Sequence, residues 1–561
     1  MSNNKKPKIL VLGNLPNDYN CKNYITISPS CFFGTDIEPT VENSNNQVLS
    51  INELQKLSSK SVIYYNYLTD RLGKKLNLKY NLNLSNRFWS IFFNSWLISL
   101  IQICLEKEKT ILDLIEKYKN ENVIVFISKD KNWNFYDSHD FFQNGISNST
   151  FNDWLNSRII EENIPLNWKV EYKELNNHEK KINYSPSLFH RVYLKISNIL
   201  SPRCSYIYGF SFIDRIFFSL LLYFKPRISK PTDFEIEKKE ILWSFNFEEN
   251  ILNKIDFEYF NKLNNVVLIN NEGKLRIISA DDLFYNSDKI FKTALSVECG
   301  EFLIGTQHGG HTYGSALITD FLNTVEINKC FQFFTWGWTN SMSPQKVRLP
   351  NPYLSKFIDK YDKKNDKIIL VSTKMNVFSW RFESAPQPKQ WLDFRKRKIE
   401  LIESIRDSES LFKDFYYKPY FNEIDSLRDI SILLSKFPNL KIVRENLHNE
   451  MINCRLLILD HPGTTLNLAM AANIPVLCTW DKEMFPFNQQ ANEQLRNLEK
   501  HNIYFSDASD LAIHLKQINE DILNWWSSHE VQLARSEWVD MYAMTSKNWR
   551  KNWLKHIWNI K

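Results

Sequence analysis

The sequence predicts an α/β protein with parallel sheets covered by helices on both faces. Three observations predict it. Short apolar runs, KIILVST (367–373), LKIVREN (440–446), RLLILDH (455–461) and IPVLCTW (474–480), alternate with stretches at helical spacing through the C-terminal third. Similar runs, KILVLG at 8–13 and VIVFIS at 123–128, mark buried strands near the N-terminus. Apolar residues make up 43% and aromatic residues 14% of the 561-residue chain, ample for large cores.

Taken in order, KILVLGNLP (8–16) closes on Gly13, Asn14 and Pro16 and reads as a strand followed by a turn. Residues 51–120 carry helical spacing, and 130–200 read as polar and mostly helical. RIFFSLLLYFKPRISK (215–230) reads as a core helix with a basic end; the second reading is an interfacial helix beside a membrane. EILWSF, VVLIN and EFLIG are strand-like. RLPNPYLSKFIDKYDKKND (348–366) has two prolines and a charged run, so a domain boundary is expected there. The expected units are 1–350, 366–525 and a helical, Trp-rich tail at 526–561.

Lys plus Arg exceed Asp plus Glu by 70 − 64 = 6, with no basic cluster of the kind that marks a nucleic-acid partner. The eight cysteines form no CxxC pair and sit in apolar surroundings, as reduced core residues do. The N-terminus lacks the apolar region of a signal peptide. The runs at 91–105 and 216–224 fall short of the roughly 20 residues that span a bilayer. A cytoplasmic chain is expected, with contact to the inner face of the membrane as the second reading.

Two stretches carry chemistry. GTQHGGHTYG (305–314) follows the apolar run FLI, and six of the 13 glycines fall within 300–337. Glycine is costly in regular structure, so the cluster marks unusual backbone geometry or close approach to a ligand. Gln307, His308 and His311 add polar side chains at the same place. A tight turn with incidental histidines is the plainer reading. His308 and His311 alone lack a third ligand at zinc spacing. In the second stretch, LLILDHPGTTLNLAMAANIPVL (456–477), a strand ends at Asp460–His461, Pro462 and Gly463 turn, and Thr464–Thr465 open a helix. Amides at a helix N-terminus suit a phosphate, although threonine caps are also common.

These stretches, with YNYLTDRLGKKLN (65–77), NRFWSIFFNSWL (86–97), FTWGW (334–338), Trp525–Trp526 and VQLARSEW (531–538), resemble the LIC12162 family of transferases found in bacterial surface-polysaccharide loci such as those for O-antigen. The strand–loop–helix also resembles the donor domain of GT-B glycosyltransferases. That resemblance implies two Rossmann-like domains facing a cleft, with helical additions in the N-terminal half. It implies a nucleotide-sugar donor in the C-terminal domain and a glycan or lipid-linked acceptor opposite. A wider similarity, to transferases that use CMP-linked Kdo or sialic-type acids, rests on the His461–Pro462 pair. Where many GT-B donor domains place a sugar-binding glutamate, this chain has Leu468, with Asn467 beside it. That departure favours a donor other than a UDP- or GDP-hexose.

On this resemblance, His461, Pro462, Gly463, Thr464 and Thr465 hold the donor phosphate and nucleotide, aided by Gln307, Gly309 and Gly310. Lys418, at the end of DFYYKPY, would supply a cation, with Ser372 and Thr373 as further contacts. His308 is the first choice for acid–base chemistry; Glu326, His311 and then Asp320 follow. Arg87, Trp96 and Trp338 read as packing residues before they read as site residues. No DxD motif lies in a suitable place, so neither an obligatory divalent ion nor a cofactor is expected. Two other readings stay open: a nucleotide-sugar epimerase or hydrolase on the same fold, and a non-catalytic glycan-assembly protein.

Overall fold

The computed structural model describes residues 6–16, 19–20, 22–35, 37–40, 44–45, 48–129, 131–175, 199–228, 237–317, 319–339, 345–374, 376–382, 386–420 and 429–561. The N-terminal half carries β1 (Lys8–Val11), β2 (Tyr24–Thr26), β3 (Val123–Ser128), β4 (Trp133–Phe135), β5 (Lys169–Lys173), β6 (Ile255–Phe257), β7 (Leu275–Ser279), β8 (Phe302–Thr306), β9 (Gln332–Thr335) and β10 (Lys346–Arg348). They form two four-stranded parallel sheets, β2-β1-β3-β5 and β10-β9-β8-β7, and the small pair β4-β6. The expected α/β class holds, and this half divides its strands between two main sheets.

The C-terminal half forms one sheet from β11 (Ile368–Val371), β12 (Phe415–Lys418), β13 (Lys441–Ile442), β14 (Leu456–Leu459), β15 (Val476–Thr479) and β16 (Tyr504–Phe505). All its pairs are parallel and the order is β13-β12-β11-β14-β15-β16. This is the doubly wound 3-2-1-4-5-6 order, whose direction reverses between β11 and β14. Ligands of such sheets bind beyond the carboxyl ends at that reversal. β11, β14 and β15 are buried throughout, which is why they read as unbroken apolar runs.

Helices of seven residues or more among the described residues are, in order, α1 (Ile51–Tyr80), α2 (Asn86–Phe92), α3 (Asn94–Tyr118), α4 (Ser149–Glu161), α5 (Phe212–Phe224), α6 (Ser287–Glu298), α7 (Thr319–Val325), α8 (Trp391–Arg406), α9 (Asp429–Lys436), α10 (Thr464–Ala472), α11 (Gln489–Lys500), α12 (Ala508–Ile518), α13 (His529–Tyr542) and α14 (Trp549–Asn559). Ser50 and Glu53 close a capping box that starts α1. Gly73 of α1 lies against the Trp89 ring of α2, where a Cβ would sit 2.5 Å from Trp89 Cδ1, so two of the resemblance motifs meet as one packing contact.

Residues 94–105 of α3 are buried on every face, as in a core helix. No single helix among the described residues is long and apolar enough to cross a membrane; α2 and α3 qualify only as a pair bent by 68°. The seven described cysteines are free thiols, six of them buried.

Two strand expectations fail. EILWSF and VVLIN join no sheet, and the strand of that region is LRIIS, β7. Val267, Leu268 and Ile269 face solvent, so their apolar run lacks the burial that stabilises a strand. The stretch at 130–200 is also less helical than expected, since it supplies β4 and β5 beside α4; its residues 176–198 lie outside the described residues.

The main hydrophobic core runs without interruption from the N-terminal half into the C-terminal half. Polar ties cross with it: Lys389 Nζ lies 3.0 Å from Glu106 Oε1, and Arg395 Nη1 lies 3.0 Å from Glu38 Oε2. The tail divides its packing. α13 lies on α10 and α11, whereas Trp549 and Trp553 of α14 pack on Phe210 and Phe218 of the N-terminal half.

Candidate functional site

Strand β14 delivers Asp460 and His461 to the sheet reversal, beside Ser372 at the end of β11. Asp460 is buried. Its Oδ2 accepts from Ser372 Oγ at 2.5 Å and lies 3.8 Å from Lys398 Nζ of α8. Its Oδ1 lies 2.9 Å from His461 Nδ1. The Asp460 carboxylate accepts from His461 Nδ1–H, which orients the ring. Burial would lower the Lys398 ammonium's pKa, but Asp429, Tyr417 and Asp460 outweigh it and hold the ammonium protonated. Lys398 Nζ and Arg395 Nε both bond Asp429, at 2.5 and 2.7 Å. The doubly bound Asp460 therefore has a fixed orientation, and so does the imidazole it holds.

Gly463 caps α10 from extended backbone and brings no side chain to its first amides. A Cβ there would lie 3.5 Å from His461 Nε2, so the ring borders the turn that opens the helix. The start of α10 thus presents backbone N–H groups, two threonines and an imidazole, a set suited to an anion.

The glycine-rich loop comes from β8. Gln307 is buried and shapes it: its Oε1 accepts from Trp336 N at 2.9 Å and Trp338 Nε1 at 2.7 Å, and its Nε2 donates to Gly309 O at 2.6 Å. From this bed the loop reaches the C-terminal half. A Cβ on Gly310 would lie 2.8 Å from Gly463 C, 2.8 Å from Thr464 N and 2.9 Å from Asn467 Nδ2. Only a glycine lets the two backbones approach so closely. The two stretches singled out from sequence are therefore one site.

His308 stands at the head of a relay. Tyr313 Oη donates to Glu326 Oε2 at 2.7 Å and lies 3.3 Å from His308 Nδ1. With its proton given to Glu326, the Tyr313 oxygen accepts from His308 Nδ1–H. His308 Nε2, on the other side of the ring, lies 3.4 Å from Asp281 Oδ1. Burial pushes the Glu326 carboxyl above its ordinary range, against the pull of His308, Tyr313 and Arg381. Burial likewise raises the Tyr313 phenol, helped by Glu326, so it stays protonated. Asn94 of α3 secures the surroundings, its amide donating to Leu283 O at 2.8 Å and Val325 O at 2.9 Å.

Several sequence expectations land elsewhere. Lys418 turns its amine toward β13, to Glu445 O at 2.8 Å and Val443 O at 3.4 Å, on the side of β12 away from the reversal. Ser372 is committed to Asp460, with Thr373 half-buried beside it. Gln307 builds the loop from within. Pro462 is buried under the turn. Asp320 of α7 accepts from Ser59 of α1 near the surface. Asn467 is buried and accepts from Trp538 Nε1 at 3.0 Å, while Leu468 packs in the core. Trp96 and Trp338 are buried, and Arg87 is half-buried. His311 opens a 3-10 turn, but its side chain lies outside the described residues. Sequence reasoning missed Asp281, Tyr313, Lys398 and Asp429. Of these only Tyr313 lay within a singled-out motif.

Residues 8–557 match the family described as LIC12162 family transferase. The chain belongs to the LIC12162 family. The match spans both loops, all of α13, and α14 as far as Ile557, so the relay and the α10 turn lie within the LIC12162 family region. No curated protein matches the chain in sequence. Among solved structures, α,α-trehalose-6-phosphate synthase from Burkholderia multivorans is similar over 48% of this chain and 69% of its own, at 10% identity and a TM-score of 0.28. A UDP-forming α,α-trehalose-phosphate synthase from Burkholderia vietnamiensis is similar over 48% and 72%, at 10% identity and a TM-score of 0.29. Spinosyn forosaminyltransferase SpnP is similar over 51% and 76%, at 10% identity and a TM-score of 0.27.

Proposed function

We propose that this transferase is a GT-B-type glycosyltransferase that moves a sugar from a nucleotide donor to a hydroxyl of a surface-glycan or lipid-linked acceptor. The observation that carries the reading is the closure of the β8 loop on the start of α10 at Gly310. It brings the loop that carries His308 to the turn that opens α10, which supports a base from the N-terminal side and a phosphate on the C-terminal side. In this reading the donor phosphate sits at the Thr464–Thr465 amides beside His461. His308 Nε2 takes the acceptor hydroxyl's proton as the oxygen attacks the anomeric carbon. The C–O bond to phosphate breaks, and the nucleotide leaves with that electron pair, its charge met by the helix N-terminus. Glu326 and Tyr313 stabilise the imidazolium that forms.

Charge supports the donor class. Lys418, the cation expected beside the donor phosphate, is bonded to carbonyls near β13 instead, which leaves the start of α10 and His461 as the groups that meet the anion. A helix N-terminus with one imidazole suits a single phosphate, as in a CMP-linked Kdo- or sialic-type acid. The test is a thermal-shift panel of CMP, UDP, GDP and TDP. At a ligand concentration of about 100 times Kd, linkage adds about 2.7 kcal/mol of stability. Stabilisation by CMP alone supports the donor class. A shift with UDP or GDP keeps the transferase and removes the CMP assignment. Silence with all four, together with no donor turnover that depends on His308, would sink the reading.

A further inference from the structure

The outward face of α5 carries Ile213, Phe217, Leu220 and Phe224, spaced 4-3-4 and so stacked along one stripe about 16 Å long. Ile213 is 76%, Leu220 52% and Phe224 72% exposed. The opposite face, with Asp214, Arg215, Phe218, Ser219 and Leu222, is buried against the protein. The helix is thus anchored by a mixed polar and apolar face and leaves its wholly apolar stripe outward. A capping box from Ser211 and Asp214 fixes its start.

α14 lies alongside in the same direction. Asp214, at the start of α5, bonds Arg550 Nε at 2.5 Å, and Lys225, at its end, donates to Trp558 O at 2.9 Å and Ile560 O at 2.6 Å. This brings the exposed residue Trp558 to the end of α5 at which the stripe ends. The charge around the pair is mainly basic, although Lys547 pairs with Asp359 and Arg550 with Asp214. Residues 541–561 hold Lys547, Arg550, Lys551, Lys555 and Lys561 and no acid; Lys225 and Arg227 follow α5, whose single acid, Asp214, is buried against Arg550.

We infer that α5 and α14 form a docking surface for an anionic lipid bilayer, with the α5 stripe and Trp558 entering the headgroup boundary and the basic rim meeting lipid phosphates. Apolar stripes flanked by Lys and Arg, with aromatic rings at the edge, are the pattern of interfacial helices. Charge selects this occupant over a second copy of the chain, because a copy would bring the same basic rim against itself. The inference stands apart from the donor chemistry.

The test is co-sedimentation of the full chain with vesicles of phosphatidylcholine containing about a third phosphatidylglycerol, beside phosphatidylcholine alone. Binding to the anionic vesicles is expected, weakening at least about tenfold as salt rises from about 50 to about 500 mM. Leu220→Asn with Phe224→Ser, on exposed positions, and separately Lys551→Glu with Lys555→Glu, should each cut binding at least about tenfold without lowering Tm. Absence of wild-type binding to anionic vesicles, or binding that both double variants retain, overturns the inference. So does a sedimentation-velocity dimer that the stripe variant abolishes.

Discussion

At the scale of single residues, Gly310 and Glu326 make the site testable. A methyl at Gly310 would press on Gly463 C and Thr464 N, which are backbone atoms at the start of a packed helix and cannot swing aside. Gly310→Ala should therefore push the two loops apart, at about 1–3 kcal/mol. The expected readout is loss of nucleotide-induced stabilisation and a lower Tm; a variant that keeps both would show that the contact is dispensable. Glu326 gives a pH signature. Its folded-state pKa is raised above the ordinary 4.5, so the folded protein holds the proton more tightly than the unfolded chain does. Its stabilising contribution is full below about 4.5 and is lost as pH rises through the folded value. Against Glu326→Gln, which can still accept from Tyr313, wild-type stability in urea should decline with rising pH over that window. A difference that moves in favour of the wild type would contradict the assignment. His308 and the HPGTT turn were legible in sequence because glycine clustering and a strand–turn–helix pattern leave a local mark. Asp281 and Lys398 were not, since each reaches the site from a distant segment through tertiary packing alone.

At the scale of elements, the strands of the C-terminal sheet were legible because burial on both faces writes continuous apolar runs. The N-terminal half was harder to read. VVLIN has strand composition and no sheet to join, whereas LRIIS, which Arg276 interrupts, is strand β7. Arg276 instead bonds Glu301 at 2.6 Å, so a charge sits in a strand without cost. Helix α10 meets the Gly310 loop at its start and is fixed in position from its other end. Asn473 ends it in the left-handed region at φ 58, and its Oδ1 accepts from Trp526 Nε1 at 2.9 Å and Gln532 Nε2 at 3.1 Å. Arg535 Nη1 adds a bond to Met470 O at 2.7 Å. Asn473→Ala forces an ordinary side chain into the left-handed region and removes both bonds, at about 1–3 kcal/mol. Asn473→Gly relieves the backbone and loses only the bonds, so its Tm should fall between wild type and Asn473→Ala. Equal Tm values for the two variants would show that backbone strain contributes nothing here.

At the scale of the whole molecule, the tail joins the two halves that form the site. After α13 the chain passes directly over the bed of the glycine-rich loop. Met544 N donates to Trp336 O at 2.8 Å, Asn351 N donates to Met544 O at 2.8 Å, and Arg348 Nη2 bonds Asp540 Oδ2 at 2.6 Å. Gly337, at φ 126, lies so close to the Asp540 carbonyl that no side chain would fit, which explains the glycine in FTWGW. α14 then seals the β10-β9-β8-β7 sheet, burying Trp549, Trp553, Ile557 and Ile560 against Phe210, Phe218, Phe334 and Leu349. At about 1.5–3 kcal/mol for each large apolar side chain, those four residues contribute an amount comparable to the whole stability of a typical domain. Truncation before Lys547 should therefore unfold the β10-β9-β8-β7 sheet and strip the bed from the Gln307 loop. Limited proteolysis should show cleavage within β7–β9 while the C-terminal sheet survives. Trp553→Ala is the milder form, removing the ring and its bond to Pro350 O at 2.9 Å, for about 3–5 kcal/mol. It should lower Tm and weaken nucleotide-induced stabilisation together, because the ring supports the strand ends from which the loop springs. A Trp553→Ala protein with a lowered Tm and full nucleotide response would confine the tail to a structural role and separate it from the site.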